Sequence, residues 1–149
     1  MKTLIAYNAY TVLKGLKLNE VSDETLSKLW DNMLALLPIS EDLEKAEKLA
    51  KESLEDEEFK KMQERVQHLR EKMNKKDAKE TEETIKENEE LRKYFEEHNK
   101  KGEEFFKKIQ DKEVKVSLKK IKAAELIKLI KANNKTLGDM ANLRIMIGD

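Results

Sequence analysis

The chain holds few side chains suited to catalysis. It has two histidines, no cysteine and 31 Asp and Glu residues. The absence of cysteine excludes thiolate nucleophiles, disulfides and cysteine-based zinc sites. His68 and His98 are candidates for a general base or a metal ligand. They stand 30 residues apart, on what read as opposite arms of a helical hairpin. A turn centred near residue 77 pairs 68 with about 86 and 98 with about 56, so the two do not meet within one chain. His98, with Glu96 and Glu97, suggests a metal site only across two copies. Paired carboxylates are too common here to mark an acid–base site, and nothing in the pattern dries two of them together. No G-x-S-x-G elbow, phosphate loop or dinucleotide fingerprint occurs. We therefore expect no catalytic residue, no metal, no cofactor and no enzyme.

The other chemistry on offer is cationic. Seven lysines crowd the stretch VKVSLKKIKAAELIKLIKANNK, and six of them, Lys119, Lys120, Lys122, Lys128, Lys131 and Lys135, are candidates for an anion site. Placed on a helix over 119–135, Ala123, Leu126, Ile127 and Ile130 face one way, and the lysines fall largely on the other side. The plain reading is an amphipathic helix with a basic, solvated face. The functional reading is an anion site for a small phosphorylated ligand such as a nucleotide. Nucleic acid is disfavoured, because the stretch has no arginine or interleaved aromatic and the whole chain has a net charge of zero.

These residues need elements to position them. Ala6, Ala9, Tyr10 and Leu13 share a helical face, which Gly15 ends. Ser22 caps a second helix with Asp23 and Glu24 in its first turn. Its wide apolar stripe is Leu26, Leu29, Trp30, Met33, Leu36 and Leu37, and Pro38 stops it. Trp30 is expected in the core or at an interface between copies. Ser40 starts the next helix, whose seam runs through Leu43, Ala46, Ala50, Phe59, Met62, Val66, Leu69 and Met73. Residues 74–80 read as a turn. A second seam follows through Thr84, Asn88, Leu91, Phe95, His98, Gly102, Phe105 and Ile109, with alternating spacings of four and three. Asn88 and His98 are polar seam positions suited to setting register. Val114, Val116 and Leu118 alternate with polar residues, the period of a short strand. A helix with Ala123, Leu126, Ile127 and Ile130 follows, broken at Asn133–Asn134. Thr136 caps a last one, with Leu137, Met140, Ala141, Leu143, Ile145 and Ile147.

The expected fold is mainly α: one domain, residues 1–149, whose core comes from 1–39 and 113–149, with a charged antiparallel hairpin over 40–112 and one short β element. The zero charge is a sum of unlike parts. Residues 41–104 carry 16 basic and 22 acidic side chains, whereas residues 105–149 carry 11 basic and 5 acidic. Such polarity suggests self-complementary packing, within the chain or between copies, at least as readily as an external anionic partner. No apolar run reaches 18 residues, so no transmembrane helix and no membrane partner are expected, and a cytoplasmic location fits the lack of cysteine.

The two ends, AYNAYTVLKGLKLNEVSDETLSKLWDNMLALLPI and IKAAELIKLIKANNKTLGDMANLRIMI, resemble in style the small helical accessory proteins of gut-bacterial phages and mobile elements. That resemblance implies a cytoplasmic accessory or inhibitor protein that acts by binding host proteins or sequestering ligands. The leading expectation is a non-enzymatic protein–protein interaction protein that forms a homo-oligomer through Trp30, Met33, Leu37, Asn88, Leu91, Phe95, His98 and Phe105. The alternatives are a nucleotide binder using the C-terminal lysines and a nucleic-acid-binding accessory protein.

Overall fold

The structure, a computed structural model, describes residues 1–19, 21–75 and 81–148. It is mainly α-helical: α1 (Thr3–Lys14), α2 (Asp23–Leu54), α3 (Glu57–Met73), α4 (Glu82–Asp111), α5 (Ala123–Ala132) and α6 (Leu137–Asn142), then a 3₁₀ turn over Arg144–Met146. The described residues form two compact units, Met1–Lys45 with Ile109–Asp149, and Ala46–Lys108. Of the expected turn at 74–80, residues 76–80 lie outside the described residues.

In the first unit, α1 supplies Ala6, Ala9, Val12 and Leu13 to the core, α2 supplies Leu29 and Leu36, α5 supplies Leu126, Leu129 and Ile130, and the C-terminal turn supplies Leu143 and Met146. Helix α1 ends at Gly15. Ser22 caps α2 by accepting from the Thr25 N–H at 3.2 Å. Thr136 and Asp139 close a capping box on α6. Asn134 takes the left-handed conformation after α5, with φ 53°, which asparagine tolerates better than most side chains.

Several expectations are corrected. Pro38 does not stop α2, and Ser40 does not start a helix; both lie inside one 32-residue helix. Pro38 is exposed while Leu36, Ser40 and Leu43 are buried. The ring therefore faces outward, and packing on the other side carries the helix past its missing N–H. The break comes later, where Asp56 accepts from the Phe59 N–H at 2.8 Å and caps α3. Residues 114–118 form no strand. Two isolated bridges, Lys2 with Glu113 and Ile121 with Ile147, are the β-pairing among the described residues. The alternation survives as burial: Val114, Val116 and Leu118 pack against the core. Val114 exchanges backbone hydrogen bonds with Met1, but among the described residues that pairing does not continue along Val116 and Leu118. On α5 the buried set is Leu126, Leu129 and Ile130, not Ile127, which is 44% exposed. Leu137, expected on the apolar face of the last helix, is 89% exposed.

An extended segment without a sheet must satisfy its backbone otherwise. Asn32, 1% exposed on α2, does this for Lys119. Its Oδ1 accepts the Lys119 N–H at 2.6 Å, and its Nδ2 donates to the Lys119 carbonyl at 2.9 Å. Asn133 repeats the device on Lys17, accepting its N–H at 2.7 Å and donating to its carbonyl at 3.0 Å. Nearby, Ile121 donates to the Met146 carbonyl and accepts from Gly148. A Cβ on Gly148 would lie 2.7 Å from the Lys120 Cβ, so this approach requires glycine.

In the second unit α3 and α4 run antiparallel. Phe59 packs edge-on to Phe95 at 5.9 Å between ring centroids, and Arg65 lies 3.5 Å from Glu87 and 3.4 Å from Glu90. No residue of α3 is fully buried, as two thin seams dictate. Gly102 is buried, and a Cβ there would meet only the tip of Leu54, at 3.4 Å.

Two substitutions test this account. Asn32→Leu, similar in size, strands the Lys119 N–H and carbonyl and should cost about 2–3 kcal/mol in denaturant unfolding; Asn32→Asp should also destabilise, because it sets a carboxylate against that carbonyl. Gly102→Ala should stabilise by up to about 1 kcal/mol, because a helix-interior glycine is replaced where there is room. A lowered Tm for Gly102→Ala would show that Leu54 cannot yield.

Candidate functional site

The structure divides the wide apolar stripe of α2 into two faces. At 100° per residue, Thr25, Leu29, Asn32, Leu36, Ser40 and Leu43 share one side, and all six are buried. The second side lies about a quarter-turn round the helix. It carries Leu26, Trp30, Met33, Leu34 and Leu37. Leu26 is 38% exposed, Trp30 55% and Leu34 48%, while Met33 and Leu37 are half-buried. A core position for Trp30 is thus overturned. One helix flank can be covered by the elements of this unit, and a stripe wider than that flank leaves its second half in water. Leu26, Trp30, Met33 and Leu37 keep spacings of four, three and four, a seam that a facing helix can enter. Large exposed apolar side chains in a row on one helix mark contact surfaces more often than single ones do.

The other residues assigned to an interface divide between roles. Leu91 is buried, and Phe95 and His98 are half-buried. The His98 ring stacks on Phe59 with centroids 4.5 Å apart and planes at 20°. Its Nε2 donates to the Leu54 carbonyl at 2.7 Å. That carbonyl belongs to the last residue of α2, one of the four that a helix leaves without an internal donor. His98 thus ties the end of α2 to α4. Phe105 remains 43% exposed. Asn88 is exposed, not a buried polar seam position. It lines an open groove of about 540 Å³ between α3 and α4, with an apolar floor of Leu69, Met73 and Ile85 and with Arg70 and Arg92 at its sides.

The six C-terminal lysines are all exposed, but they do not share one helix. Helix α5 begins at Ala123, so Lys119, Lys120 and Lys122 precede it. The Lys120 Nζ donates to the Ile145 carbonyl at 2.9 Å. Lys128 lies 3.9 Å from Glu125. Lys131 and Lys135 belong to the other end of the stretch.

His68 is exposed on α3, and no group of three or more His, Cys, Asp or Glu able to hold a metal occurs among the described residues. Two groups have displaced acidities. The Tyr94 hydroxyl is raised by burial first, then by the charges of Asp56 and Glu58. The Asp139 carboxyl is lowered by the hydrogen bonds it receives from the Thr136 backbone and side chain. Both are explained by local packing and capping, and neither faces a reacting centre.

Comparison of the chain with protein-family models, with curated proteins and with solved structures finds no match.

Ultraviolet titration checks the acidity of Tyr94. Its neutral form is favoured by folding, so the Tyr94 contribution to stability is constant below about pH 10 and declines above it, as the unfolded chain ionises first. Tyr94 should ionise above the ordinary tyrosine range, and Asp56→Asn should bring it down. Ionisation of Tyr94 within the ordinary tyrosine range would remove the assignment.

Proposed function

We propose that this chain is a non-enzymatic protein-contact protein, and that the second apolar face of α2 joins it to a second copy of itself. The observation that carries the reading is the row Leu26, Trp30 and Leu34, each more than a third exposed on one helix. Tryptophan is enriched where binding energy concentrates, provided it is desolvated by a partner. An apolar seam with spacings of four and three complements its own copy, and two-fold pairing lets each Trp30 enter the other chain's seam. The acidic and basic blocks support the same reading, since opposite charges on two copies steer and orient encounter.

The nucleotide alternative has less support. Its six lysines are spread over an extended segment, a helix and the turn beyond it, and Lys120 and Lys128 already have partners. An enzymatic reading has no geometry behind it.

Light scattering after size exclusion tests the proposal. We expect a dimer whose stability falls as salt rises, and Trp30 emission that shifts to the red on dilution. Trp30→Lys with Leu34→Glu should give a monomer with unchanged helicity, because both side chains lie outside the core. A wild-type chain that remains monomeric at high concentration and low salt would defeat it.

A further inference from the structure

A second surface is assembled by chain segments far apart in sequence. Asn133 holds the backbone of Lys17 through both its N–H and its carbonyl. This brings the end of α1 against the end of α5. The Lys135 Nζ reaches the same place, lying 3.8 Å from where a Cβ on Gly15 would stand. Lys14 and Lys17 flank Gly15, and Lys131 occupies the last turn of α5. Lys17 and Lys135 thus meet where the two chain segments converge, and Lys14 and Lys131, both exposed, stand in the last turns of the helices that end there. None of the four makes an ion pair within 4.0 Å among the described residues, although the Lys135 charge acts on the nearby Asp139 carboxyl, which Thr136 also binds.

Apolar side chains stand proud among these cations. Leu137, two residues beyond Lys135, is 89% exposed. Ile127 lies one turn before Lys131 on the outer side of α5 and is 44% exposed. An almost fully hydrated leucine beside unpaired lysines is costly to leave in water, and nothing in its own unit covers it.

We propose that this end of the first unit docks on an anionic lipid surface, with Leu137 entering the headgroup layer and Lys14, Lys17, Lys131 and Lys135 contacting lipid phosphates. Lysines and protruding aliphatic residues together are what an acidic bilayer surface complements: the charges meet the headgroups, and the apolar tips enter the acyl boundary. A soluble polyanion would use the lysines and leave Leu137 hydrated. Nucleic acid would favour arginine and stacking aromatics, whereas these four cations are all lysine. The expectation that no membrane is involved rested on the lack of a spanning run. Among the described residues no helix is long and apolar enough to cross a membrane, but surface docking needs none. The inference uses different residues from the face of α2 and stands whether or not the chain pairs with a copy.

The test is co-sedimentation of the full chain with phosphatidylcholine vesicles, with and without about a third phosphatidylglycerol. We expect binding to the anionic vesicles alone, weakening steeply as salt rises. Lys131→Glu with Lys135→Glu should reduce partitioning at least about tenfold. Leu137→Ser should reduce it several-fold and leave the fold intact, because the side chain is exposed. Equal sedimentation with neutral and anionic vesicles, or with none, would overturn the proposal. So would anionic binding that Leu137→Ser leaves unchanged and inorganic polyphosphate fully displaces, since the lysines would then serve a soluble polyanion.

Discussion

A buried amide holds the first unit together. Segment 114–121 runs extended against the core, backbone-paired at its ends where Val114 meets Met1 and Ile121 meets Met146 and Gly148, and its polar backbone between them has to be satisfied otherwise. Asn32 meets that need at one point by pairing with both the N–H and the carbonyl of Lys119. The pair joins α2 to the extended segment between Leu118 and the start of α5. Asn133 performs the same task for the turn after α1. An amide is suited to both positions because it carries one donor and one acceptor group side by side. Neither a carboxylate nor an aliphatic side chain can replace it.

The second unit is governed by a shortage of apolar surface. Helices α3 and α4 meet along narrow seams, and α3 buries no residue completely. Specific contacts substitute for bulk burial. His98 caps the end of α2 and stacks on Phe59, and Leu54 lies against α4 at the buried Gly102. Exposed ion pairs such as Arg65 with Glu87 add little to stability but suit one register over its neighbours. Where the seam turns polar, at Asn88, the helices leave a groove instead of a core.

The surface of the first unit separates two kinds of contact. Helix α2 presents a row of large apolar groups, which suits another protein face. The ends of α1 and α5 present cations with protruding aliphatic tips, which suits an acidic interface. Both arise because the core accommodates only one flank of each amphipathic helix.

Local spacing in the sequence carried the mainly helical class, the caps at Ser22 and Thr136 and the pairing of the hairpin arms, but not the run of α2 through Pro38 and Ser40 or the cap at Asp56. Ser22, Gly15, the Thr136 capping box and the opposition of His98 to residues near 56 depend on neighbours a few residues away or on one turn length, so local spacing carries them. It did not determine which part of a wide apolar stripe would be buried, whether Pro38 would end α2 or whether Val114–Leu118 would find a strand. Those outcomes depend on what packs alongside. Trp30 and Leu137 are as apolar as the residues of the core, but tertiary packing left them outside. Asn32 looked like any polar residue on a helix until the fold placed Lys119, 87 positions away, against it. The convergence of Lys17 and Lys135 was hidden for the same reason, because it belongs to chain segments that only folding brings together.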